Sequence, residues 1–281
     1  MKQTALLIRL LLVVFAVSRT AAPAVAETAD EIIAKARAYR GGDAALSAVE
    51  SVHFTGVLET QKVTPTGLVP QKANVEIFFQ KPCKQRIVAT SAETIETTGL
   101  DDYVAWQREQ DRADPTRWQL SVLGPEMIKW LRATAWENLN FFKGIGQQGG
   151  TAKVIGPATV DGCASIKVAF AHDATIVFYR YFDPATGRLL FTETKDRAIK
   201  EEGEILVNGL RFPRKEIQTM KGLDATGKPI ERTLVMTFDK ISLNETFPES
   251  DFELPVLPPT RPSATVKPPD LQPAVAPAAV K

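Results

Sequence analysis

The chain has 281 residues, 44% of them hydrophobic and 24% charged, which is the make-up of an ordinary folded protein and excludes disordered or collagen-like classes. Its 34 basic and 33 acidic residues give a net charge of +1; without the first 26 residues, which hold Lys2, Arg9 and Arg19 and no acid, the balance is 31 against 33. No basic excess is left to neutralise a phosphate backbone, so nucleic-acid binding is excluded as a main role. Two cysteines and two histidines exclude a disulfide scaffold, a four-thiolate zinc site and a histidine-rich metal centre, and no cofactor or metal is expected.

Lys2 and Arg9 precede the apolar run Leu10 to Val17, and Ala24-Val25-Ala26 is a small-x-small cleavage site. These features predict a secretory signal peptide over 1–26. The apolar run is far shorter than the about twenty residues that span a bilayer. An exported protein exposes Cys83 and Cys163 to oxidising conditions. A bond between them would close an 80-residue loop and add ~4 kcal/mol on chain-entropy grounds; the alternative is two thiols that never meet.

Thr28-Ala29-Asp30-Glu31 is a capping box, with Ile32, Ile33, Ala36 and Tyr39 on one helical face and Gly41-Gly42 as the stop. Asp43 opens a second short helix through Leu46 and Val49. Strand patterns follow: Val52, Phe54 and Leu58; Val75, Ile77 and Phe79; Ile87 and Ala89; Tyr103 to Trp106; Trp118, Leu120 and Val122. Gly124-Pro125 opens a helix over about 125–143, with Ile128, Leu131, Ala135, Leu139 and Phe142 on one stripe. Strands resume at 153–155, 163–170, 175–182, 188–195, 211–220 and 231–241, separated by turns such as Asp183 to Gly187 and Asp224 to Gly227. The expected fold is mainly β (α+β). About ten or eleven strands form one antiparallel meander curling into an incomplete barrel, with helices on its concave face. The domain is expected over 27–254. From Pro255 to Lys281, eight of the 19 prolines fall in an Ala/Val/Lys background, so 255–281 is expected to be a disordered tail. It is either a passive linker or an arm that reaches a partner.

Catalytic patterns are lacking. Gly144 to Gly149 spells G-x-G-x-x-G but follows a helix rather than a strand, so a hinge is the better reading. Asp101-Asp102 and Glu201-Glu202 read as solvated loops. His53 and His172 have no neighbouring Cys or His in the pattern, and no G-x-S-x-G or H-E-x-x-H occurs. No nucleophile, base or metal can be named, so the chain is not read as an enzyme. What remains is apolar surface. Phe54, Leu58, Val75, Ile77, Phe79, Ile87, Val104, Trp106, Trp118 and Leu120 are expected to share one sheet face. Met127, Ile128, Trp130, Leu131 and Phe142 are expected to meet them from the helix. Such walls either close into a plain core or leave a gap fit for a lipid.

The segment Thr28 to Lys35, Gly41-Gly42, Ala45-Leu46 and Ser51 resembles the start of the outer-membrane lipoprotein-sorting, or LolA-like, periplasmic proteins. Tyr181 to Gly187, Gly209 to Pro213 and Asp251 to Pro255 are similar to later segments of that group. The resemblance spans about 28–255. It implies an incomplete antiparallel barrel wrapped around helices, and a periplasmic carrier of a lipid or acylated lipoprotein. Such a carrier takes cargo from an inner-membrane exporter and hands it to an outer-membrane acceptor, and is monomeric. Arg86 is a candidate for the family's strand arginine by position only, so no functional polar residue is carried over, and the Pro-rich tail is foreign to the family pattern. The other reading open on this scaffold is a periplasmic sensor or interaction module with no transported cargo.

Overall fold

A computed structural model describes residues 27–64, 67–223 and 227–256. The expected signal peptide, the expected turn residues 224–226 and the expected tail beyond 256 lie outside the described residues. Helices α1 (Ala29–Arg40) and α2 (Asp43–Ser47) come first. Six strands follow: β1 (Ser51–Thr64), β2 (Gly67–Gln80), β3 (Lys84–Thr90), β4 (Thr94–Asp101), β5 (Val104–Asp111) and β6 (Trp118–Val122). Helix α3 (Pro125–Asn140) leads to β7 (Thr151–Val160), β8 (Cys163–Ala171), β9 (Val177–Phe182) and β10 (Leu189–Glu193). The chain closes with β11 (Arg197–Val207), β12 (Leu210–Leu223) and β13 (Pro229–Leu243).

Among the described residues all thirteen strands belong to one sheet, in the order β6-β5-β4-β3-β2-β1-β13-β12-β11-β10-β9-β8-β7. Every pairing is antiparallel, and β1 with β13 joins two meanders at the centre. The two edges, β6 and β7, do not pair, so the barrel is incomplete, and α3 is the segment that connects them. Thirteen strands exceed the expected ten or eleven because β4 and β11, both rich in charged and hydroxyl residues, read as loops in the sequence.

Helix α1 starts where expected. The Glu31 amide donates to Thr28 Oγ1 at 3.3 Å and the Thr28 amide donates to the Glu31 carboxylate at 2.8 Å, a complete capping box. Thr28→Ala is expected to cost about 1 kcal/mol and lower the melting temperature by about 2–4 °C, read by thermal denaturation. Gly41 ends the helix at φ 134°, pressed against Leu210 and the Gly209 carbonyl so closely that a Cβ would come within 2.5 Å. Arg37 of α1 is 3% exposed. It donates to the carbonyls of Asn140 and Phe141 at 3.0 Å, to Ser47 Oγ at 2.9 Å and to Asp43 at 2.6 Å. The carbonyls that end α3 would otherwise be orphaned, and a cation there also meets the negative helix pole. Arg37 thus ties the C-terminal end of α3 to α1 and α2.

Two buried clusters pack on the concave side. One gathers Phe54, Val75, Ile77, Phe79, Leu100, Phe212 and Phe238 beneath Leu131, Ala135 and Leu139 of α3. The other gathers Ile32, Ile33 and Ala36 of α1 with Val168, Phe170, Phe178 and Phe182, beneath Ala133 and Trp136 of α3. Cys83 lies in the first cluster and Cys163 is exposed at the start of β8; both are free, so the candidate disulfide does not form. Burial pushes the Cys83 thiol up to about 11, which leaves it an inert core group.

The convex side is not uniformly wet. Residues that pair directly across strands share a face. Register runs Phe54–Ile77–Ile87–Thr98–Gln107, so Trp106, between Gln107 and Ala105, points the other way. There it lies across Gly99, whose missing Cβ makes room for the indole, and its Nε1 donates to the Phe252 carbonyl at 2.9 Å. The closing segment Asn244 to Leu254 packs on this face through Phe247 and Phe252. His53 stacks on Phe78 at 4.2 Å and bonds Glu245 at 2.8 Å.

Candidate functional site

Between the two clusters the concave face is not filled. A hollow of about 390 Å³ lies under α3, bordered by sheet residues of both meanders. That size falls within the roughly 300–1,000 Å³ of small-molecule pockets. Met127, Trp130, Leu131 and Thr134 form its helical roof with Glu137 and Asn138; Phe54, Ile87, Thr98 and Gln107 form the wall from β1 to β5; Thr192, Thr194, Arg197, Glu201, Phe212 and Glu216 form the wall from β10 to β12.

Six of the sequence-predicted lining residues meet here: Phe54, Ile87, Met127, Trp130, Leu131 and Phe142. Val75, Ile77 and Phe79 share the concave face with them but are buried in the adjoining core, against which Leu58 and Ile128 pack. Val104, Trp106, Trp118 and Leu120 are not on that face. Register places Trp118 and Leu120 beside Gln110 and Arg108, on the convex side with Trp106, and Val104 is 45% exposed. Expecting a single face for all ten strand residues is corrected by the turn at Asp102-Tyr103, which sets the parity of β5 and β6. Arg86 also points to the convex side, over the Phe78 ring and 3.7 Å from Asp251, away from the hollow.

Charged residues in the wall were not expected. Glu137 of α3, 5% exposed, lies 2.6 Å from Arg180 of β9 and 2.7 Å from His172 Nε2. Arg180 also sits over the Phe142 ring at 4.5 Å, and burial pulls its guanidinium below the ordinary arginine value. Arg40 of α1 grips Glu201 of β11 with two bonds of 2.9 and 2.7 Å. Glu201 is therefore a wall residue in a strand, not part of a solvated loop, and His172 is held against α3 rather than free in its turn. Glu216 of β12 stands directly across from Glu201. Burial and that like charge push its carboxyl up to about 7. Gln85, wholly buried on the wall, has neither its amide oxygen nor its nitrogen partnered among the described residues. Gly144 to Gly149 forms a short turn of 3-10 type after α3, with Ile145 anchored in the core, and no strand feeds it as a phosphate loop requires.

The fold and its hollow define a class: an open antiparallel half-barrel whose concave face is roofed by a helix and keeps a ligand-sized space with mixed apolar and charged walls. No family model matches the chain, and no curated protein matches it. Among solved structures, a LolA superfamily protein from Nitrosomonas europaea is similar at 13% identity, covering 82% of this chain and 99% of that one with a TM-score of 0.48. A domain from Vibrio parahaemolyticus described as an outer membrane lipoprotein-sorting protein is similar at 9% identity, covering 79% and 94% with a TM-score of 0.48. A DUF1329 family protein from Desulfovibrio piger is similar at 7% identity, covering 81% and 98% with a TM-score of 0.49. What the hollow can do is read from its own walls.

Proposed function

We propose that this protein is a periplasmic binding protein and carrier for an acyl-bearing lipid or lipoprotein, with the chain lodged between α3 and the sheet. The hollow of about 390 Å³ under α3 is the observation that supports this reading. Acyl chains resist water by ~0.8 kcal/mol per CH₂, so a chain of sixteen carbons opposes crossing an aqueous space by roughly 13 kcal/mol. A carrier offsets that cost with apolar wall and needs no nucleophile or metal. Phe54, Ile87, Leu123, Met127, Trp130 and Leu131 supply such wall here.

Lipid extraction and mass spectrometry of the mature protein, purified under native conditions, are expected to recover a bound amphiphile. A fluorescent fatty acid is expected to bind with a stoichiometry near one. Repeated recovery of no lipid together with no uptake of the probe would overturn the carrier reading and leave an interaction module on the same scaffold.

A further inference from the structure

Three arginines stand on the wall of the hollow, and two of them are matched. Arg40 pairs with Glu201 at 2.7 Å and Arg180 with Glu137 at 2.6 Å. Arg197, at the start of β11, makes no ion pair among the described residues, and its buried Nε has no hydrogen-bond partner. Its guanidinium lies 5.5 Å over the Trp130 ring, which in turn stacks on Phe178 at 5.3 Å and 13°. The cation is thereby held against the roof of the hollow rather than swung into solvent.

Polar but uncharged groups stand near it, with the aliphatic Ile199 among them. Thr192 pairs with Ile199, and Ile199 with Gln218, so Thr192 and Gln218 flank one position on the same face of the sheet. Thr194 closes the turn into Arg197, whose amide donates to Thr194 Oγ1 at 3.2 Å. All five residues line the hollow. Across from them the lining is Ile87, Leu123, Met127 and Leu131. The wall around Arg197 thus carries hydroxyls, an amide and a guanidinium without an ion pair, while the far side carries aliphatic side chains beside Thr98 and Gln107. The remaining acid without a cationic partner, Glu216, holds a carboxyl raised to about 7, so at neutral pH it offsets the Arg197 charge only in part.

Resting on the carrier reading above, we infer that the hollow selects an amphiphile with an anionic head, a carboxylate or a phosphate monoester, and that Arg197 is its charge partner, with Thr192, Thr194 and Gln218 as neighbouring hydrogen-bond groups. A guanidinium presents two parallel N–H donors to two oxygens of either anion, which an alcohol head cannot match.

The test compares laurate, dodecyl phosphate and dodecanol, one chain length with three heads, binding to the full mature protein and followed by calorimetry and by tryptophan fluorescence. Wild type is expected to bind at least one of the two anions about tenfold or more tighter than dodecanol, and to lose that preference in high salt. Whichever anion gains more identifies the head group. Arg197→Gln is expected to erase the preference while leaving dodecanol affinity unchanged, and Arg197→Lys to retain part of it. Equal wild-type affinity for all three heads would overturn the anion subsite while leaving the carrier reading standing. Equal weakening of all three ligands in Arg197→Gln would overturn it as well. Binding of none of the three would overturn both. The wild-type comparison needs no variant, so it decides even if Arg197→Gln folds poorly.

Discussion

Replacing Glu137 with alanine is expected to destabilise the protein by about 3–5 kcal/mol at neutral pH, the cost of stranding a buried charge. Glu137 is 5% exposed and Arg180 is 7% exposed, so both charges sit largely out of water. The two lie 2.6 Å apart, and the other carboxylate oxygen is 2.7 Å from His172 Nε2. One truncation therefore strips two partners. Burial already pulls the Arg180 guanidinium down, yet no reachable pH deprotonates it, so the charge stays and stays unpaired. Its contacts with the Phe142 and Phe170 rings remain but do not substitute for an anion. The control is the double variant Glu137→Leu with Arg180→Met, which removes both charges and keeps volume. It is expected to recover most of the loss, because apolar replacement of a buried pair is close to neutral. Urea unfolding of the two single variants and the double variant measures this coupling. A Glu137→Ala loss below about 1 kcal/mol would show that the pair contributes little to holding α3 on the sheet.

The parts of the fold legible in the sequence are those whose local chemistry points one way. Thr28 and Glu31 cap α1, Gly124-Pro125 opens α3, and the alternation of Val75, Ile77 and Phe79 marks a strand with one buried face. Strand β11 was not legible for a physical reason. Lys200, Glu201, Glu202 and Glu204 look like a solvated run, but their inward member is neutralised by Arg40, 161 residues earlier in the chain. A long-range ion pair leaves no mark on local hydropathy. The faces of β5 and β6 failed for a different reason. An apolar Trp106 suggests the concave core, but the closing segment brings Phe247 and Phe252 to the convex side and supplies a second place to bury it.

The hollow shows the same division. Its roof was readable, since Met127, Trp130 and Leu131 follow from helical spacing in α3. Its charged members were not. Glu137 interrupts the apolar stripe of a helix and reads as surface, and Arg180 alternates with Tyr179 and Tyr181 as an outward residue would. A sheet with one residue per face cannot reveal which polar positions turn inward until pairing is fixed. A clue existed in retrospect: Arg180 lies between Phe178 and Phe182 in strict alternation, so all three share a face, and that face is the buried one.

Glu216 carries the second large expected effect, and its sign follows from proton linkage. The carboxyl lies across from Glu201, whose charge is already engaged by Arg40, and its own bond is from Gln218 Nε2 at 3.4 Å. Arg40 and Arg180 favour its ionised form, but burial and Glu201 outweigh them and raise it from an ordinary 4.5 to about 7. Between those values the folded protein keeps a proton that the unfolded chain has released. Folding is therefore most favourable with respect to this group below pH 4.5, loses stability as pH rises through 4.5 to 7, and is level above 7. Full desolvation would make the loss about 3 kcal/mol. Because Glu216 retains some accessible surface, about 2 kcal/mol is the expected size. Glu216→Gln keeps the shape and mimics the protonated form. Its stability relative to wild type is expected to be near zero at pH 4 and about 2 kcal/mol higher at pH 8, measured by urea unfolding at both. Groups that titrate in both proteins cancel in that difference, so a difference constant with pH would overturn the assignment. The same ionisation makes the hollow less positive, so laurate affinity is expected to fall between pH 6 and 8 in wild type and to stay level in Glu216→Gln.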